Sequence, residues 1–118
     1  MQSTKTRYAV RRLDEVELFR SVCGFRQSII THADSKELSL SYLHITDFAR
    51  KHYHKQTTEI YYVLEGTGEM ELDDETVEML PGTCVLIEPG CRHTARGDLK
   101  VIIIGVPPFR EADVHYDE

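Results

Sequence analysis

The chain has 118 residues, 14 Lys and Arg against 20 Asp and Glu, and a formal net charge of −6. That length fits one domain with a core large enough to fold without staples, and the acidic balance argues against a nucleic-acid partner, whose phosphates select clustered Lys and Arg. No apolar run reaches membrane-spanning length, no secretory h-region opens the chain, and Cys23, Cys84 and Cys91 form no C-x-x-C pair, so a cytoplasmic protein with free thiols and no membrane contact is expected.

Residues 1–12 are polar apart from Tyr8-Ala9-Val10. The basic cluster from Lys5 to Arg12 is followed at once by Asp14, Glu15 and Glu17, as in a solvated arm. Leu13, Val16 and Phe19, three apart, predict a short helical turn. Phe25 to Thr31 reads as a strand, and His32-Ala33-Asp34-Ser35 as a polar connector. Leu38 to Ile45 alternates, with Leu38, Leu40, Tyr42 and His44 on one face and Ser39, Ser41, Leu43 and Ile45 on the other, which predicts a second strand. Thr46 to Lys51 is a turn.

Glu59 to Glu65 is rich in aromatic and β-branched residues and predicts a strand, punctuated by Gly66 and Gly68 as a turn or bulge. Glu69 to Leu72 and Glu75 to Leu80 alternate on either side of an Asp73-Asp74 hairpin turn. Thr83 to Ile87 is a strand between the turns Pro81-Gly82 and Pro89-Gly90, and Leu99 to Val106 is the last, ended by Pro107-Pro108 and an acidic tail. Short strands at even spacing, with no window of convincing helical period, predict an all-β sandwich or barrel.

His52 and His54 lie two apart, so an extended chain points both to one face. Glu59 has the wrong parity to join them unless residues 55–58 turn. After such a turn it would stand beside the pair, with Tyr61 and Val63 lining the same interior. His93 follows a Pro-Gly turn that can bring in a fourth ligand. Three imidazoles and one carboxylate suit a divalent transition metal, and an octahedral ion would keep two positions open. An isolated H-x-H is commonly surface decoration; here the Glu and the turn-preceded His converge with it.

The stretch HYHKQTTEIYYVLEG resembles the first motif of the cupins, H-x-H-x(3,4)-E-x(6)-G, at His52, His54, Glu59 and Gly66. GTCVLIEPGCRH resembles their second motif, G-x(5)-P-x-G-x(2)-H, at Gly82, Gly90 and His93. Three positions depart from the pattern. Thr46 stands for the opening Gly, Glu88 for the usual Pro, and Gly97 for a closing Asn; Gly97 puts the turn after His93 in question, and Glu88 adds a carboxylate near the rim. The resemblance implies a double-stranded β-helix, or jelly-roll barrel, of antiparallel strands. An N-terminal arm (1–37) would pack on a barrel core (38–106) followed by a C-terminal tail (107–118). It further implies an Fe, Zn, Mn or Ni ion on His52, His54, Glu59 and His93, and a homodimer. The apolar run Leu99 to Ile104, broken only by Lys100, needs cover on its outer face from a partner or from the N-terminal segment.

No catalytic base is identifiable. Tyr61 and His44, if inward, are candidate proton donors or acceptors, against the plainer reading of packed wall residues. Cys91 is a candidate auxiliary ligand or, more plainly, a small turn residue. Arg50 and Lys51 are solvated or steer an anion. The sequence therefore predicts a metal-binding cupin that holds a small oxygenated metabolite and catalyses dioxygenation or isomerisation. The alternative is a non-catalytic sugar- or metabolite-binding module.

Overall fold

The computed structural model describes residues 7–21, 24–47 and 49–118. Cys23, the Lys5 end of the basic cluster and Phe48 of the Thr46 to Lys51 turn lie outside them. Seven strands follow in chain order: β1 (Phe19–Ser21), β2 (Gly24–Ile30), β3 (Ser39–Ile45), β4 (Thr58–Leu72), β5 (Glu75–Met79), β6 (Cys84–Ile87) and β7 (His93–Val106). All pairings are antiparallel. The sheet order is β1-β2-β3-β7-β4-β5, and β6 joins β4 on the edge that β5 also occupies. The only helical pieces among the described residues are single 3-10 turns, Leu13–Glu15 and Glu111–Asp113. Among the described residues no helix is long and apolar enough to cross a membrane.

Alternation places the core. In β3 the buried face carries Ser39, Ser41, Leu43 and Ile45. In β4 it carries Glu59, Tyr61 and Val63, the interior set expected from the sequence, and in β7 Leu99, Val101 and Ile103. Met70, Met79 and Ile87 belong to the same buried core.

Two long strands replace pieces that the sequence divides. β4 runs unbroken through Gly66 and Gly68 rather than turning there, and β7 begins at His93 rather than at Leu99. The physical reason is the β4–β7 ribbon. A flat strand of β4's 15 residues would span about 50 Å. The register nevertheless sets Leu72 opposite His93 and Glu59 opposite Gly105, while His93 Nε2 lies 3.2 Å from Glu59 Oε1. The ribbon must roll back on itself. A bulge between Val63 and Glu65 bends it. Beyond the bulge the two backbones press together, and a Cβ on Gly66 would collide with the Asp98 carbonyl. One on Gly97, at φ 119°, would stand 2.6 Å from the Thr67 carbonyl oxygen. Gly97 thus sits inside a strand, and no turn follows His93.

The outer face is apolar across four strands. Register aligns Leu86, Ile60, Ile104 and Leu40 in one row, and Cys84, Tyr62, Ile102 and Tyr42 in the next. Leu86 is 60% and Tyr62 44% exposed, so residues 7–18 do not seal this face. That segment lies instead against β2, where Gln27 Nε2 donates to the carbonyls of Leu13 and Val16.

Gly66 and Gly82 both have φ near +90°, but only Gly66 faces a backbone carbonyl, whereas Gly82 faces open space. Gly66→Ala is expected to cost more than about 3 kcal/mol, and Gly82→Ala about 1 kcal/mol. Urea denaturation of both variants checks this. Equal losses would contradict the close-approach argument.

Candidate functional site

The ribbon's two ends carry the site. His93 opens β7 and Glu59 stands at the second position of β4. The segment before β4 is locked to β7 by a two-way backbone bridge, His52 N to His93 O at 3.0 Å and His93 N to His52 O at 2.8 Å. The Gly90 amide holds the His54 carbonyl at 2.8 Å. Residues 55–57 then turn, as the parity of Glu59 requires.

The three imidazoles converge, with ring centroids 4.5 Å apart for His52–His93, 5.2 Å for His52–His54 and 5.3 Å for His54–His93. One nitrogen of each ring lies within 4.8 Å of those of the other two. Glu59 Oε1 stands 3.1 Å from His54 Nε2 and 3.2 Å from His93 Nε2. Glu59, His54 and His93 are at most 2% exposed.

The rings are set by their other nitrogens. Nδ1 of His52 donates to the Arg50 carbonyl at 3.2 Å, Nδ1 of His54 to that of Asp113 at 2.9 Å, and Nδ1 of His93 to that of Cys91 at 3.0 Å. A carbonyl only accepts, so each Nδ1 must carry a proton, which frees each Nε2 to face the site. His93 Nε2 is not aligned to bond Glu59 despite its proximity, and it is a buried polar atom with no hydrogen-bond partner. Such an atom calls for an occupant. Three imidazole nitrogens, the orphaned one among them, and a carboxylate oxygen fit a divalent transition metal.

The charges are arranged accordingly. Burial, reinforced by His93, lowers the His52 pKa to about 4, so that ring is neutral at pH 7. Burial opposes ionisation of Glu59, but the adjoining His54 and His93 rings outweigh it and hold the carboxyl far below its usual range. Burial likewise opposes the charge on His54, yet the Glu59 bond and charge raise its pKa.

The C-terminal segment, which reads as an acidic tail, is part of the site. Asp113 is 8% exposed. Its carboxylate accepts the amides of Lys55, Gln56 and Thr57 at 2.9, 3.1 and 3.1 Å, fixing the turn between the histidine pair and Glu59. Burial alone would raise the Asp113 pKa, but these three amides lower it. Phe109 packs T-shaped against the His54 ring at 5.9 Å, and Tyr116 lies 6.2 Å from that of His52. The signal that could have identified them is compositional: solvated tails carry few aromatics, and this one holds both Phe109 and Tyr116.

The remaining candidates fall as follows. Tyr61 faces inward, 6.3 Å from the His93 ring. His44 points to the outer face, where it pairs with Asp98 at 2.8 Å. Cys91 is outside the imidazole cluster and packs on the core; burial, with Asp73 beside it, pushes its thiol pKa up. Arg50 stacks on Tyr116 and bonds the Asp117 carbonyl, and Lys51 is held by Glu71 and the Asp73 carbonyl. Neither steers as a free cation. Glu88 is exposed and does not line the cavity.

That cavity, about 1040 Å³, opens from His52, His54 and Glu59 past Tyr61 and Phe109 to the polar inner faces of β2 and β3. It is large enough for a small metabolite.

The Cupin domain family profile matches residues 44–105. An uncharacterised protein of Methanocaldococcus jannaschii is 36% identical over 66 residues, 52% of this chain and 53% of that one, so the match spans about half of that relative. A crystal structure of a Planctomyces limnophilus protein superposes with a TM-score of 0.88 at 32% identity, covering 92% of this chain and 96% of that one. Streptomyces Pac13, described as a nucleoside dehydratase and also solved with uridine, gives a TM-score of 0.81 at 18% identity, over 98% of this chain and 92% of its own. The chain belongs to the cupin family.

Two outcomes are expected. Asp113→Ala leaves three amides of the turn without an acceptor and should cost about 2–4 kcal/mol, with Asp113→Asn losing less; chemical denaturation measures both, and an unchanged midpoint for Asp113→Ala would contradict the assignment. Separately, the folded-state pKa of His52 lies below its ordinary 6.5. As pH falls from 6.5 to about 4, the unfolded chain takes up that proton first, so folding stability falls over this window and levels off below it. Melting curves of metal-free protein should show a smaller fall for His52→Gln, and parallel profiles would contradict the shift.

Proposed function

We propose that this member of the cupin family holds a divalent transition metal on His52, His54, Glu59 and His93, and with it binds a small oxygenated metabolite in the barrel. The observation that carries the reading is the common orientation of the three imidazoles: each Nδ1 is tied to a backbone carbonyl, and the buried Nε2 of His93 has no partner. The donor set suits Fe, Zn, Mn or Ni. When bound, such an ion supplies Lewis acidity to chelated substrate oxygens and, if it is iron, a route to dioxygenation.

The chain's own part is to orient and to manage protons. The carbonyls of Arg50, Cys91 and Asp113 hold the rings in the tautomer that offers Nε2. Glu59 supplies the negative charge. Glu59 raises the His54 pKa, and a cation on Nε2 would displace any proton held there. Tyr61, which lines the cavity 6.3 Å from the His93 ring, is the candidate for exchanging a proton with a bound ligand. A non-catalytic metabolite-binding module shares all these features except turnover.

Protein purified without chelators should contain close to one equivalent of metal by elemental analysis. His54→Ala and His93→Ala should lower that content at least about tenfold. Stoichiometric metal retained in both variants would sink the ligand assignment. Oxygen uptake with enediols and diketones then separates dioxygenase from binder. The nucleoside dehydratase among the similar structures is a reason to add uridine and related nucleosides to the ligand screen.

A further inference from the structure

We infer that the ligand of this cavity is an acid, and that Arg26 binds its negatively charged end, a carboxylate or a phosphate. This rests on the proposed function for the other end of the ligand. Arg26 lies on β2 opposite Leu43 of β3, and Leu43 is 1% exposed, so both side chains belong to the inner face. An arginine on the inside of a barrel is expected to have an acidic partner. Arg26 has none among the described residues, and the residues outside them include no Asp or Glu. Three other arginines are paired, Arg11 with Asp34, Arg20 with Asp47 and Arg92 with Asp117, whereas Arg110, which lines the same cavity, has no ion pair among the described residues.

The surroundings of Arg26 suit an oxyanion. Its guanidinium lies over the Phe109 ring at 4.8 Å, which holds the group while leaving its N–H edge free. Ser28, two positions along β2, and Ser41, its partner on β3, share the inner face and line the same cavity. Ser41 is 5% exposed. One guanidinium and two hydroxyls are the donor set that recognises a carboxylate or phosphate. Arg110 adds positive charge at the rim, where Glu111 is exposed and makes no ion pair with Arg26.

Geometry also limits the ligand's length. Phe109 touches both groups, at 4.8 Å from the guanidinium and 5.9 Å from the His54 centroid, so the two lie within roughly 11 Å of each other through a cation–π contact. A short acid whose chelating oxygens are three or four bonds from its charged end can span that gap.

The test uses two probe pairs that differ only in the far end: 2-oxoglutarate against 2-oxopentanoate, and 3-phosphoglycerate against glycerate. Each is titrated calorimetrically into wild type, Arg26→Gln and Arg26→Lys, with metal content and melting temperature measured on the same samples. In wild type the member with the charged far end should bind at least about tenfold tighter in at least one pair, and the pair that responds tells carboxylate from phosphate. Arg26→Gln should reduce the difference to below about twofold, and Arg26→Lys should restore part of it. Equal affinities within both pairs, no binding by any probe, or a preference that survives Arg26→Gln would each overturn the inference. The metal reading fails on metal content and the anion reading on the ligand comparison, so the two failures are distinguishable.

Discussion

Contact between Glu59 and His93 requires the β4–β7 ribbon to roll back on itself, because the register puts them at opposite ends of one ladder. The rolling creates a barrel with an inside. It also determines where irregular backbone is tolerated. The Val63–Glu65 bulge and the glycines Gly66, Gly68 and Gly97 cluster in the stretch where the strands bend and press together. Closure at the far end buries a carboxylate among imidazoles, an arrangement costly in itself unless each group has a compensating partner. Glu59 has His54; the Nε2 of His93 has only proximity.

The C-terminal segment completes what the ribbon begins. Asp113 acts twice, its side chain fixing the turn at residues 55–57 and its backbone carbonyl orienting His54. A second set of ties holds the segment in place. His115 and Tyr53 form a two-way backbone bridge at 2.9 Å in each direction, and Arg92 grips Asp117 through two nitrogens. The side chains facing the cavity are therefore supported by residues with no place in either sequence motif.

Most of the barrel is legible in the sequence because period two is a strong signal: the two faces of β3 and the interior trio Glu59, Tyr61 and Val63 follow from alternation. Glu59's parity alone implied the turn that separates it from the histidine pair. Three features were hidden. Gly66 and Gly68 resemble a turn because local propensity does not distinguish a bend from a close backbone crossing. Residues 93–98 look unlike a strand because Arg96, Gly97 and Asp98 are polar or flexible, yet β4 supplies their ladder partners. The direction of His44 follows from which face of β3 is buried, and the face bearing two serines gave little reason to choose it. Those serines are inside because the interior there is a cavity and not packed core.

The sequence separations within the site have a kinetic consequence. His54 is oriented by a residue 59 positions away, and Phe109 is anchored to Ser39 across 70. Contacts of that span form late, since long loops must close before they return any stabilisation. Before those contacts form, His52 and His54 are neighbours by sequence alone, without His93 or the Asp113 carbonyl. Any ligand that demands all the imidazoles at once is thereby withheld until folding has run to completion, and its capture serves as a checkpoint on the finished molecule.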